Sequence, residues 1–267
     1  MKKYWSFFKI RMINGLQYRV AAYAGVATQL AWGFMYIMLY NSFADTNISA
    51  MPMTLAQTAS YIWLQQGFLA LFMTWFLDND IFNSISNGDV AYELIRPCNL
   101  YNMWFAKNCA TRLSKALLRC FPIVIVALLL PKPYKLALPS SFEIFVLFMI
   151  SMIMAFIVVV AYCMIVYILT FYTISPMGVR MILVIIADFC AGGLVPLPFL
   201  PGWLTKYLYL SPFGAMQNSP FLIYNGVMDV KQGIITLGIQ GFWAVCLVAL
   251  GKNLMEKALK KVVVQGG

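Results

Sequence analysis

The sequence predicts an all-α, polytopic membrane protein with about six transmembrane helices. It adds an interfacial helix at the N-terminus and an external re-entrant hairpin before the last span. Three observations carry this reading. Of 267 residues, 62% are hydrophobic and 10% charged, whereas soluble domains run near 45–50% apolar and about 25% charged. The few charges leave apolar gaps of roughly the ~20 residues that one span needs. Once those gaps are read as spans, the basic residues fall mostly on one side. The same composition excludes disorder, collagen, a coiled coil and a small disulfide scaffold. The whole chain, 1–267, reads as a single transmembrane domain.

The elements follow in order. In residues 1–18, Trp5, Phe8, Met12 and Leu16 share one helical face, with Lys2, Ser6 and Lys9 on another, so a helix lying on the membrane surface is expected. A secretory signal is the alternative, but the apolar run after Arg19 is too long for its apolar region and ends without a small-x-small site. The first span is expected in the charge-free stretch 20–44. The second falls in 46–77, its apolar part running from Tyr61 to Leu77. The third gap, 120–131, is short, so Leu117 and Leu118 must join it and Arg119 must snorkel to the interface. The fourth gap is 144–179. The fifth, 181–200, is interrupted by Asp188, Gly192–Gly193 and prolines. The sixth is 232–251.

An even number of spans puts both termini on one side. That side then holds 15 of the 19 Lys and Arg residues, Arg96, Lys107, Arg112, Lys115, Arg119 and Arg180 among them, and only Lys132, Lys135, Lys206 and Lys231 lie opposite. This bias places both termini in the cytoplasm and accounts for the +10 net charge without nucleic acid. There is no histidine, which removes Ser-His and Cys-His catalysis, His-ligated metals and histidine proton relays. The six cysteines form no CxxC pair and read as buried free thiols. No Walker A or GxGxxG pattern is present, and the close acidic pairs Asp78/Asp80 and Asp89/Glu93 make only a weak metal site.

Three segments stand out. In 78–97, Asn79 or Asp80 caps a short helix with Ile81, Phe82 and Ile85 on one face, and Gly88 stops it. Val90 to Ile95 forms a second run that ends before Pro97. This is either a docking element, with Phe82 and Ile85 as anchors and Asp78, Asp80 and Asp89 as polar contacts, or a loop whose apolar residues touch the bilayer. In 192–226, Gly192 and Gly193 weaken the fifth helix, and Pro196, Pro198 and Pro201 prevent regular helix after it. Trp203 to Leu210 forms a short helix that Pro212 ends. Re-entrant gate and interfacial loop with an aromatic belt are both open readings. Asp188 is the acid placed inside the membrane. It either lines a path, pairs with Arg180, or is a satisfied structural group.

Taken together, the basic amphipathic start, the six spans, the loop GDVAYELIRP and the stretches GGLVPLPFLPGWL and LSPFGAMQNSPFLIYNG resemble the permease subunits of ABC exporters of the second permease class, six-helix branch. The resemblance covers essentially the whole chain. It implies a dimer of permeases, identical or homologous, in which each subunit docks a cytoplasmic ABC ATPase. It maps the ATPase-coupling helix onto Asp78 to Gly88 and Asp89, and the surface helix onto Tyr4 to Leu16. It maps the external gate onto Gly192 to Phe213, taking in Gly193, Pro196, Pro198, Pro201, Trp203 and Pro212. It implies that this chain is not itself an enzyme and holds no cofactor, ATP and Mg being bound by the partner. Alternating access would export a peptide, drug, lipid or glycolipid across a prokaryotic plasma membrane, with Asp188 on the path. An ion- or proton-coupled carrier or channel built on Asp188 is the alternative, and a membrane-embedded enzyme a third class.

Overall fold

The computed structural model describes residues 2–17, 19–46, 51–173 and 176–260, and among them every regular element is helical. In chain order these are α1 (Lys2–Gln17), α2 (Arg19–Thr46), α3 (Leu55–Gly67), α4 (Leu69–Phe72), α5 (Asn79–Ser86), α6 (Val90–Leu94) and α7 (Leu100–Leu129). There follow α8 (Phe142–Leu169), α9 (Pro176–Cys190), α10 (Gly202–Leu210), α11 (Asn218–Tyr224) and α12 (Val230–Leu259). The chain is thus an all-α polytopic membrane protein. Among the described residues, three stretches are long and apolar enough to cross a membrane on length and composition: Ala22–Thr46, Phe142–Tyr172 and Val230–Leu259. The other three expected spans fail that test for separate reasons. The second is broken between α3 and α4, α7 carries Lys107, Arg112, Lys115 and Arg119, and α9 has 15 residues.

The central column is α8. Val158, Val159, Ala161, Cys163, Met164 and Ile168 are buried on all sides, which suits a helix apolar around its full circumference. It packs against α12, α11, α4 and α7. Local chemistry sets the helix starts. Thr54 with Gln57 and Asp229 with Gln232 form capping boxes, and Ser141 and Asn99 cap α8 and α7. The α1 helix lies along α7. Gly15 admits Ser114 where a Cβ would collide with its hydroxyl. The Tyr4 hydroxyl oxygen accepts from the Asn99 backbone N–H at 2.8 Å, and Lys3 donates to the Pro97 carbonyl at 2.8 Å.

Three expectations are corrected. The second span does not run as helix to Leu77. It stops at Phe72, and residues 73–77 are irregular, a conformation that leaves carbonyls without helical partners. Arg112 supplies those partners. Its guanidinium donates to the carbonyls of Leu71 (3.0 Å), Met73 (2.9 Å) and Phe76 (3.0 Å), to the Asn108 side-chain oxygen (2.7 Å) and to the Cys163 sulfur (3.1 Å). Arg112 is fully buried and has no acidic partner among the described residues. Secondly, the charge-free gap 144–179 does not hold a single helix. The α8 helix ends at Leu169 in a 3₁₀ turn over Thr170–Tyr172, and α9 begins afresh at Pro176, a residue suited to a first helical turn. Thirdly, α5 is capped by Asp78 and not by Asn79 or Asp80, its carboxylate accepting from the Asp80 backbone N–H. Arg119 lies against Gly25 of α2, where a Cβ would stand 2.6 Å from the guanidinium carbon.

Arg112→Met should destabilise the fold strongly. Three backbone carbonyls would lose their donor, at about 1–3 kcal/mol for each buried group left unpaired. The expected outcome is loss of the monodisperse peak in detergent size-exclusion chromatography. A wild-type profile and melting point would contradict it.

Candidate functional site

At the basic end of the bundle, α5 is fastened to three other helices. Asp78 caps it, accepting from the Asp80 backbone N–H at 2.9 Å. The same carboxylate pairs with Lys107 of α7 at 2.9 Å, and Asp80 adds a longer contact at 3.5 Å. The Asp78 backbone N–H donates to the Tyr167 hydroxyl of α8 at 2.6 Å. Phe82 packs on the Tyr167 ring with centroids 5.0 Å apart. From α9, Arg180 places its guanidinium 5.2 Å from the Phe82 ring and donates to Asn79 at 2.8 Å. The aromatic pair contributes about 0.5–1.5 kcal/mol beyond its area, and the cation–π contact about 0.5–2 kcal/mol. Behind them, Trp104 donates to Glu93 at 2.6 Å and so ties α6 to α7. Gly88 adopts φ +80, a left-handed conformation that ends α5 at low cost only for glycine.

These contacts reorient part of the sequence reading. Ile81 and Phe82 are buried in the subunit and Ile85 is half-buried, so the apolar face of α5 grips its own bundle. The face left open carries Asn79, Asp80, Asn83, Ser86, Asn87, Gly88 and Asp89. Tyr92 and Ile95 beyond it are large and exposed. Arg180 makes no ion pair with Asp188; it turns to α5, where one guanidinium nitrogen donates to Asn79. Lys107, Arg112 and Tyr167 had no signal in the sequence beyond belonging to a basic segment or an apolar run.

At the other end of α8 the chain folds back. The α9 helix ends in a Schellman motif. Gly192 (φ +78) donates to the Phe189 carbonyl at 3.2 Å and Gly193 to the Asp188 carbonyl at 2.8 Å. Gln65 of α3 donates to the Gly193 carbonyl at 2.6 Å, and Tyr61 donates to Asn218 at 3.2 Å. Pro196 and Pro198 lie in and beside a 3₁₀ turn, and Pro201 precedes α10. The Thr205 hydroxyl donates toward the carbonyls of Leu197, Leu200 and Pro201, at 3.1–3.2 Å. Trp203 and Tyr207 are exposed on α10, and Pro212 and Phe213 follow it, with the Phe213 ring 5.6 Å from Tyr162. The α11 helix, which the sequence reading left unassigned, is buried along its whole length. Gln240 of α12 secures this hairpin. It donates to the Ala215 carbonyl at 2.9 Å and accepts from Ser151 of α8 at 2.9 Å.

Between the two ends lie two cavities. The inner one, about 730 Å³, is bounded by Arg11, Asp78, Arg112, Lys115, Arg119 and Arg180 among others. The second, about 400 Å³, is bounded by Asp188, Gln29, Gln65, Gln66, Trp32 and Tyr36. The Asp188 side chain makes no hydrogen bond or ion pair with any described residue. No cluster that could hold a metal ion occurs among the described residues.

The chain belongs to the ABC-2 family of transporter proteins, whose family model (ABC-2 family transporter protein) matches residues 23–266. The match takes in nearly all of α2 and everything after it, with α1 outside. Among curated proteins, no match to the chain is found. Membership makes the chain a membrane permease subunit of an ABC transporter, a family that works with ABC ATPase subunits.

Gly193 and Gly202 provide a contrasting test of the hairpin. A Cβ at Gly193 meets the Asp188 backbone oxygen at 2.8 Å, whereas one at Gly202 meets nothing within 4 Å. Gly193→Val should therefore abolish the folded, monodisperse protein and Gly202→Ala leave it unchanged. Equal behaviour of the two in size-exclusion chromatography would contradict the close approach.

Proposed function

We propose that this chain is the membrane half of an ATP-driven exporter and that α5 receives the power stroke. ATP and Mg would be bound and used by a partner ATPase seated on the open face formed by Asp80, Asn83, Ser86, Asn87 and Asp89. A second permease, identical or homologous, completes the path. Closure of the ATPases pushes α5, and α5 moves the bundle as a largely rigid body. The hairpin of Gly192 to Phe213 closes the far side while the near side is open. Both termini lie in the cytoplasm of a prokaryotic cell, on the side that holds most of the Lys and Arg residues.

The observation that carries this reading is how α5 is held. Its inner face is bound by Lys107, Tyr167 and Arg180, which come from three different helices, while its outer face is polar and exposed. A loop that merely rested on the bilayer would turn Phe82 and Ile81 toward lipid. Force applied to the outer face instead reaches α7, α8 and α9 together.

A second reading is favoured by one observation: the Asp188 side chain stands on a cavity wall with no hydrogen-bond or ion-pair partner among the described residues. An ion- or proton-coupled carrier would use it directly. That reading expects transport without any ATPase and its loss in Asp188→Asn.

Affinity purification from native membranes in mild detergent separates the two. The expected result is an ABC ATPase in about equal amount with the wild-type chain. Asp80→Arg/Asn83→Arg should lose that ATPase at least tenfold while the permease itself stays monodisperse. A chain that purifies alone after crosslinking, or a variant that retains the full complement, would contradict the exporter reading.

A further inference from the structure

The cations inside the bundle are more numerous than its folding needs. Five line the inner cavity: Arg11, Arg112, Lys115, Arg119 and Arg180. Arg112 is committed to backbone carbonyls and Arg180 to α5. The two carboxylates on the same wall, Asp78 and Asp80, are held by Lys107. Lys115, Arg119 and Arg11 remain. None makes a hydrogen bond or ion pair with any described residue, and the partners of Lys115 and Arg11 are rings, Phe76 at 3.8 Å and Phe7 at 5.5 Å.

Membrane topology alone does not explain where these groups point. Arg112, Lys115 and Arg119 are spaced along one face of α7, and that face looks into the cavity rather than at lipid. Arg119 occupies a recess that α2 provides by having glycine at position 25. It also bounds both cavities, as does Trp75, so the two chambers share a wall. Cations without an acidic partner on a cavity wall are candidate contacts for a solute or for water.

The second chamber continues the pattern along a single stripe of α2. Gly25, Gln29, Trp32 and Tyr36 are spaced i, i+4, i+7 and i+11 and all line it. Gln29 is 4% exposed, and neither its amide nitrogen nor its amide oxygen has a partner. An amide buried without a partner is costly, and a hydrogen-bonding ligand would recover that cost. Beyond it the rings of Trp32 and Tyr36 lie 5.8 Å apart. From Gly25 to Tyr36 the helix rises about 16 Å, comparable with an extended dodecyl chain. The lining therefore passes from cationic, through amide, to aromatic.

Resting on the exporter reading, we propose that the transported molecule is an organic anion, taken up with its phosphate, sulfate or carboxylate group against Lys115 and Arg119 and its apolar body along Gln29, Trp32 and Tyr36. Asp188, on the same wall, disfavours a second acidic group further in.

The test uses the complex as purified, in nanodiscs of neutral phosphatidylcholine without ATP, and measures equilibrium binding of radiolabelled dodecyl phosphate. Saturable binding is expected, and Lys115→Gln/Arg119→Gln should weaken it at least tenfold. Arg119→Lys, which keeps the charge, should stay within about threefold, and a matching melting point shows that the variants are folded. Dodecyltrimethylammonium should not compete. Weak competition by inorganic phosphate assigns the site to a lipid-like anion, and competition as strong as that of dodecyl phosphate assigns the same cations to a soluble one. Undiminished binding in the double variant, or equal competition by the cationic detergent, overturns the proposal. Because binding is read without ATP, its failure with the ATPase still co-purifying removes this inference and leaves the exporter reading standing.

Discussion

Arg112 is the interaction on which the rest of the bundle depends. A chain surrounded by lipid has no water to complete its backbone hydrogen bonds. An irregular stretch inside it therefore survives only where protein groups replace that water. The carbonyls of Leu71, Met73 and Phe76 converge on one guanidinium, whose planar array of donors suits several acceptors at once. With the stretch 73–77 held open, the chain leaves the second span early and delivers α5 beneath the ends of α7, α8 and α9. Without that donor the same residues would favour continuing helix, and α5 would lose its seat.

From that point the two ends of the molecule are joined through α8. Tyr167 near its last turn receives Phe82 and the Asp78 backbone N–H. Near its first turns Phe148 packs on Tyr224 of α11, and Ser151 joins Gln240, which in turn holds Ala215. Interhelical hydrogen bonds of this kind contribute on the order of 0.6–2 kcal/mol each in membranes. Their value here is geometric, since they fix the hairpin and α12 to the same column that carries α5. One rigid helix thus touches both the surface that would take a partner and the segment that would close the far side.

The fold class was legible in composition and charge spacing, because lipid demands long apolar helices and membrane insertion sorts Lys and Arg to one side. The position of α5 was legible too, from a polar cap followed by Ile81, Phe82 and Ile85, although the cap is Asp78 and not Asn79 or Asp80; so were α10 and the glycine pair that ends α9. The direction in which Phe82 faces was not, since an apolar helical face reads the same against protein as against lipid. Charge gaps also misjudge spans wherever charges are buried. Arg112 and Arg119 truncated the third span on paper, while α7 runs for 30 residues through both of them. Span four looked too long because a 3₁₀ turn of Thr, Phe and Tyr carries no charge to mark it. Buried α11 escaped notice because Pro220 and a short apolar run resemble an ordinary loop.

The central claim is that α5 and α8 move as one body when the partner ATPases close. Spin labels at Asn83 on the open face of α5 and at Met149 on the exposed side of α8, in a cysteine-free background, report it through double electron–electron resonance. In the assembled transporter, the distance within one subunit should be the same in nucleotide-free and ATP-trapped states, while the distance between the Asn83 labels of the two permeases changes. A change of several ångströms within the subunit would show that α5 swings on its own and would contradict the account.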